Sequence, residues 1–301
     1  MTTSRRPVAV VAALLLAAIA TTSATGAAQS RSAGTRSFMW KATRQQGVVY
    51  LVGSVHMLTQ DFYPLAPALE SGFKDSDLLV EEVDLNEMLA PNAQFALLAK
   101  GMLPAGQTLD KVVSPATMTL VNKRTGSLGM PASALQQFKP WFLAMTLIAV
   151  EWQKAGFDAT LGLDKHFFDR AQVDGKAVQG LETTDYQISR FDGMTMSQQD
   201  RFLAESLKDL DSEKASVQTI ATAWKAGDLP TVERLVLQDV KDDPLMYQRL
   251  LVERNRTWLP KIEALFARQG HAFVVVGAAH LVGPDGLLAM LKAKGIRVEQ
   301  Q

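Results

Sequence analysis

No cysteine occurs anywhere in the 301 residues. That absence excludes a disulfide framework, a thiolate zinc site, a cysteine nucleophile and a lipid-modified N-terminal cysteine. Neither sign of charge is in excess, because 31 Lys and Arg stand against 31 Asp and Glu. A nucleic-acid surface needs a clustered basic excess, so none is expected here. Three sequence motifs are also missing: H-E-x-x-H, G-x-S-x-G and a phosphate-binding glycine loop. The chain is therefore not an ordinary zincin, serine esterase or nucleotide enzyme.

What is present begins with a targeting pattern. Arg5 and Arg6 precede an uncharged run, Val8 to Ala20, of 13 residues, and small residues then lead to Thr25-Gly26-Ala27-Ala28. A positive start, a short apolar run and a small-residue end make a secretory signal, with cleavage expected after Ala27 or Ala28. The run is shorter than the roughly 20 residues of a comfortable membrane span. The expectation is therefore a periplasmic or secreted protein with no stable transmembrane segment after cleavage, an uncleaved anchor being the alternative. Removing residues 1–28 takes away two arginines and no acid, which carries the net charge from zero to −2. Residues 29–37 are small and polar and read as a disordered linker. Hydrophobic residues at 47% and charged residues at 21% then suit one globular domain over 38–301.

Short apolar runs bounded by turn residues read as strands: Phe38 to Ala42, Val48 to Val52, Asp77 to Val83, Lys176 to Leu181, Ala272 to Val276 and Ile296 to Glu299. Helices are expected over Leu65 to Lys74, Gln94 to Lys100, Pro115 to Lys123, Pro131 to Lys154, Lys165 to Val173 and Gly286 to Lys294. Four or five more fall between Ser197 and Gln269, broken at Gly227-Asp228, at Asp242-Asp243-Pro244 and near Asn255. The two ends repeat one another. Each runs strand, glycine, two residues, histidine, loop, helix, strand: Gly53-Ser54-Val55-His56 in one, Gly277-Ala278-Ala279-His280 in the other. The expected fold is α/β (mixed α+β): two β-loop-α-β repeat units forming a central sheet, with a large helical cap inserted over about 92–270. Ligands bind beyond the carboxyl ends of parallel strands, where both histidines fall.

The chain has four histidines, and two of them sit in this repeated context. Glycine at a strand end lets the backbone turn and approach a ligand closely, and histidine is the commonest side-chain ligand for transition metals. The bland alternative is a pair of turn-capping histidines. Glu81 and Glu82 close a buried strand, and alternation sends one of them to each face. Asp164, in Gly162-Leu163-Asp164, reads equally as a helix N-cap, and Glu182, in Gly180-Leu181-Glu182-Thr183, as a carboxylate favoured by a helix dipole. Arg254, in Arg254-Asn255-Arg256, reads as a solvated helix break or as a cation for a developing oxyanion. His166 and His271 read as structural.

Taken together, these segments resemble the TraB/GumN family. The resemblance rests on Phe38-Met39-Trp40-Lys41, Tyr50 to His56, Leu79 to Asp84, Gly162-Leu163-Asp164, Gly180-Leu181-Glu182-Thr183 with Gln187, Glu253-Arg254-Asn255, and Val274 to Gly286. It covers nearly all of 38–301. The family is related to Tiki, a membrane-associated metalloprotease, and related folds include erythromycin-esterase-like and haem-binding proteins. The resemblance implies a metal site built from the paired G-x-x-H motifs and an acid, and its pattern selects Glu82 over Glu81.

The expected activity is that of a metal-dependent hydrolase, a peptidase acting on a peptide or protein substrate. His56, Glu82 and His280 would be the metal ligands, with Asp164 or Glu182 as a general base or further ligand. Imidazole and carboxylate donors without thiolate suit zinc, manganese or cobalt about equally. The alternative is a non-catalytic envelope protein that binds a metal, haem or peptide on the same scaffold.

Overall fold

The computed structural model describes residues 36–208, 210–241 and 243–301. The leader expected over 1–28, and all of the expected linker except Arg36 and Ser37, lie outside the described residues.

Six strands form one sheet: β1 (Met39–Arg44), β2 (Gly47–Ser54), β3 (Leu78–Val83), β4 (Ala177–Glu182), β5 (Ala272–Gly277) and β6 (Arg297–Gln300), in the order β4-β3-β5-β2-β1-β6. The first four positions of that order are parallel pairings, and β1 runs antiparallel to both β2 and β6. Strands β3 and β5 are buried at every residue. Their complete burial follows from having helices on both faces, as parallel strands require; β5 is apolar throughout, whereas β3 buries Glu81 and Glu82 among its apolar residues. The edge strand β6 alternates exposed and half-buried positions instead.

In chain order the helices are α1 (Pro67–Lys74), α2 (Leu85–Met88), α3 (Pro91–Gly101), α4 (Leu109–Val112), α5 (Pro115–Ser127), α6 (Pro140–Lys154), α7 (Leu163–Asp174), α8 (Thr184–Asp192), α9 (Met196–Lys208), α10 (Leu210–Lys225), α11 (Leu229–Lys241), α12 (Pro244–Tyr247), α13 (Glu253–Leu265), α14 (Ala278–Leu281) and α15 (Leu287–Ala293). The sequence thus folds as mixed α+β. The two expected repeat units interlock: β2-α1-β3 straddles β5, and β5-α15-β6 straddles β2 and β1. Strands β2 and β5 therefore lie side by side in parallel, with Gly53 opposite Val276 and Ser54 opposite Gly277. That register sets both G-x-x-H motifs at one end of the sheet.

Three local expectations need correction. The helix read from Pro131 begins at Pro140, after a single 3-10 turn at Ala132–Leu135. Proline clashes with a helical predecessor, and Lys139 is extended (φ −59°, ψ 147°). No break occurs near Asn255. A π-helical stretch, Gln248–Val252, runs straight into α13, so Arg254 and Asn255 lie within continuous helix. Nor does Gly53 end its strand, since β2 continues through Ser54.

Candidate functional site

The two motif glycines are needed for space rather than for turning. Neither has positive φ. A Cβ on Gly53 would meet the Phe38 ring at 2.5 Å, so this glycine lets the aromatic ring just before β1 close over β2. A Cβ on Gly277 would stand 3.2 Å from Glu82 Oε1, 3.6 Å from His56 Nε2 and 3.6 Å from His280 Cδ2. The missing side chain of Gly277 thus leaves a small space on which one carboxylate and both motif histidines converge.

His56 reaches that space from the segment after β2. Its Nδ1 donates to Asp164 Oδ2 at 2.5 Å, and Ser54 Oγ donates to the same oxygen at 2.9 Å. Asp164 lies in the first turn of α7. Its carboxylate does not cap that helix; it orients the histidine. His56 Nε2 is buried and has no hydrogen-bond partner among the described residues. Burial disfavours the imidazolium, but the adjacent Asp164 carboxylate outweighs it and raises the His56 pKa.

His280 lies on α14, the short helix that replaces the expected loop after Gly277. Its tautomer is set by its neighbours. Arg254 Nη1 can only donate, and it donates to His280 Nε2 at 3.0 Å, so the proton sits on Nδ1 and is donated to Asn255 Oδ1 at 2.7 Å. Asn255 Nδ2 in turn donates to the carbonyls of His280 and Asp285. Burial and the Arg254 cation push the His280 pKa down to about 3, which makes it a neutral imidazole at physiological pH.

Glu82, on β3, points at the same space. Its Oε1 accepts from the Gly277 backbone N–H at 2.8 Å, and its Oε2 accepts from Arg254 Nη2 at 2.6 Å and Gln187 Nε2 at 3.2 Å. Burial alone would raise its pKa, but Arg254 wins and holds it at about 2, so Glu82 is ionised. Glu182, at the end of β4, receives Arg254 through both Nε and Nη2 and accepts from Trp258 Nε1 at 2.9 Å. Its carboxylate is spent on these side chains rather than on a helix dipole. Two carboxylates share one guanidinium, and burial raises the Glu182 pKa against the pull of Arg254. The neighbouring Glu81 is also buried, but its two carboxyl oxygens have no hydrogen-bond partner among the described residues.

The structure thus gathers the expected residues into one buried site of two hydrogen-bonded parts facing each other across the Gly277 space: His56 with Asp164 and Ser54, and a larger network of Glu82, Glu182 and His280 around Arg254. Arg254 is the hub of that network and is only 1% exposed. His271 bonds Asp75, away from this network, and His166 packs against Tyr63 and Phe167. Three partners escaped the sequence reading: Ser54 behind Asp164, Asn255 behind His280, and Trp258 beside Glu182. Arg254, Asn255 and Trp258 fall at i, i+1 and i+4 of α13, so a continuous helix there would have placed Arg254 and Trp258 on one face.

Two donor atoms would be open to a divalent cation, the orphaned His56 Nε2 and the anionic Glu82 Oε1, with the Gly277 space between them. The third candidate, His280 Nε2, lies 3.8 Å from Glu82 Oε1 but is engaged by Arg254. As they stand, no three His, Asp or Glu side chains among the described residues form a metal-ligand group. The residues fit a metal on condition that Arg254 Nη1 releases His280.

No solved structure matches the chain. The "Uncharacterized protein YbaP" of Escherichia coli (strain K12) is 28% identical over 246 residues, covering 81% of this chain and 87% of that protein, and the protein of the same name in Shigella flexneri matches to the same extent. "Metalloprotease TIKI2" of Danio rerio is 21% identical over 318 aligned residues, and the match spans 87% of this chain but 60% of that protein. No helix among the described residues is long and apolar enough to cross a membrane. The model of the TraB/PrgY/gumN family matches residues 38–300, and the chain belongs to that family.

Proposed function

We propose that this chain is an exported, metal-dependent hydrolase of the peptidase class, with His56, Glu82 and His280 as ligands. The observation that carries the reading is His56 Nε2. It is a buried nitrogen with no partner, aligned from behind by Asp164, and it faces an anionic carboxylate across the space left by Gly277. A histidine held by a carboxylate at Nδ1 and open at Nε2 is the usual preparation of a metal ligand. His280 is likewise held at Nδ1, with Asn255 in place of the acid, but its Nε2 accepts from Arg254. The metalloprotease name of a 21% identical relative supports the reaction class.

When bound, a divalent ion supplies polarisation of a substrate carbonyl and a water-derived nucleophile at neutral pH. The protein's own contribution is orientation and charge. Asp164 and Ser54 fix the His56 ring; Asn255 fixes the His280 tautomer. Glu82 brings negative charge to the site, and Arg254 keeps Glu82 ionised despite its burial. Arg254 is the cation nearest the site, but Glu182, Glu82, His280 and the Leu250 carbonyl already take its donors, so it would serve a developing oxyanion only by giving one of them up.

The test is metal binding to the purified protein, followed by peptide cleavage with and without chelator. Manganese, cobalt or zinc binding that disappears in His56→Ala, with cleavage that chelator abolishes, is the expected result. A second reading, a non-catalytic binding protein, is favoured by one observation, the hydrogen bond from Arg254 that occupies His280 Nε2. Metal uptake with no turnover across a peptide library would select it. Export is proposed on the leader pattern alone. N-terminal sequencing of envelope protein should show cleavage after Ala27 or Ala28, and an intact Met1 on cytoplasmic material would overturn it.

A further inference from the structure

His56 belongs to no strand or helix. It stands between the end of β2 at Ser54 and the 3-10 turn at Gln60–Phe62. A metal ligand has to be held to within about 0.5 Å, so its position must come from outside this segment. The chain that enters α7 supplies it. Leu58 N–H donates to the Asp158 carbonyl at 3.2 Å, and Asp158 N–H donates to the Leu58 carbonyl at 2.8 Å. Leu163 N–H donates to the Val55 carbonyl at 3.2 Å. Residues 55–58 and 158–163 thus lie against one another in opposite directions.

Gly162 occupies the tightest point of this contact. A Cβ there would stand 2.6 Å from the His56 carbonyl carbon and closer still to its oxygen. Gly162 has φ −61° and ψ 148°, a conformation open to any residue, so glycine is needed here for approach alone. Carbon atoms in ordinary contact are about 3.5–4.0 Å apart, so a methyl group at 162 would drive the two segments apart by about 1 Å.

That spacing reaches the site through one helical turn. The Gly162 carbonyl accepts from His166 N–H at 2.9 Å, which ties Gly162 to the first turn of α7. Asp164 lies in that turn. Its two carboxylate oxygens accept from Ser54 Oγ at 3.0 and 2.9 Å, and the second also accepts from His56 Nδ1 at 2.5 Å. A retreat of about 1 Å would stretch the bond to His56 to the limit of a hydrogen bond.

We infer that Gly162 is a positioning residue of the site. By admitting the His56 carbonyl it sets the hydrogen bond between Asp164 and His56, and through Asp164 it aims the open His56 Nε2 at the Gly277 space. Its consequence for a metal rests on the proposed reading of His56 as a ligand; the hydrogen bond is independent of that reading.

Two measurements separate these parts. In the metal-free protein the His56 Nδ1–H proton should give a downfield NMR signal, assigned by its loss in His56→Ala. Zinc affinity is measured by titration calorimetry. Gly162→Ala should lose the signal and bind zinc about 10- to 100-fold more weakly. Asp164→Glu is longer by one methylene. In the wild-type background it overfills the space and should weaken zinc binding. In Gly162→Ala it spans the gap and should restore the signal and most of the affinity. A glycine needed only for folding would show no such reversal. A wild-type signal in Gly162→Ala overturns the inference, and so does an Asp164→Glu that weakens zinc binding equally in both backgrounds. If Gly162→Ala alone does not fold, the double variant decides: a folded protein with the signal restored supports the inference, and an unfolded one overturns it. Should no variant, wild type included, bind zinc, manganese or cobalt, while the signal is lost in Gly162→Ala and returns in the double variant, the metal reading falls and the role of Gly162 stands. Wild-type zinc binding that persists in Gly162→Ala with its signal intact would do the reverse.

Discussion

Arg254 Nη1 donates to His280 Nε2 at 3.0 Å, so the nitrogen that a metal would take from this histidine is already held by a buried cation. The same guanidinium pairs with Glu82 and Glu182 at 2.6 and 2.7 Å. Arg254 therefore neutralises the network and also competes for one of its ligands.

Arg254→Met should be strongly destabilising, by about 3–5 kcal/mol, because it leaves two buried carboxylates without their cation. Adding Glu182→Gln to the same protein removes one of those charges and should recover part of the loss. Urea denaturation of the two single variants and the double variant gives the coupling directly. Strict additivity would mean that Arg254 and Glu182 do not act as a pair.

The histidine on the other side has the opposite support. Asp164→Asn keeps the size of the side chain and removes the charge that raises the His56 pKa. NMR titration should show the His56 pKa falling, since burial is then opposed chiefly by the more distant Glu82 charge, and metal affinity should drop by about 10- to 100-fold. An unchanged His56 titration would show that Asp164 fixes only the ring's position.

Gly277→Ala tests the cradle without touching a donor. Gly277 has φ −49° and ψ 137°, a conformation open to alanine, so the backbone tolerates the change. The added methyl would stand between Glu82 Oε1 and the two imidazoles. Metal binding should be lost while the melting temperature moves by only a few degrees. Binding equal to wild type would place the ion elsewhere.

Much of this site was legible in the sequence, and what was missed shares one physical cause. The central strands announced themselves because β5 is an unbroken apolar run and β3 opens with one, Leu78-Leu79-Val80. His56 and His280 stood out because one local pattern occurs twice. Ser54, Asn255 and Trp258 gave no such signal. Each acts on a residue brought near only by the fold: Ser54 on Asp164, 110 positions away, and Trp258 on Glu182, 76 positions away. Arg254-Asn255-Arg256 looked like a helix break because three polar residues in a row favour solvent. Two of them face the interior instead, Arg254 and Asn255 each being 1% exposed, because buried acceptors on β3, β4 and α14 await them.

The remaining prediction concerns Glu81, the acid that stands outside the network. It is 2% exposed, neither carboxyl oxygen has a hydrogen-bond partner among the described residues, and no cation pairs with it there. Burial, reinforced by the nearby Asp164 and Asp84 carboxylates, holds its pKa well above the ordinary 4.5, so the folded protein keeps Glu81 protonated at a pH where the unfolded chain has released that proton. The sign follows from which state binds more protons. Above 4.5 the folded state does, so raising the pH favours unfolding by about 1.4 kcal/mol per unit until the folded pKa is reached. Glu81→Gln keeps the shape and abolishes the titration. The variant and wild type should therefore have similar stability near pH 4, and the variant should be the more stable at pH 8. Glu81→Leu also removes the unpartnered polar atoms and should be at least as stable as Glu81→Gln at pH 8. Urea denaturation at the two pH values reads the difference. A gap between wild type and Glu81→Gln that is the same at pH 4 and pH 8 would mean that Glu81 ionises normally and has found a partner in the folded protein.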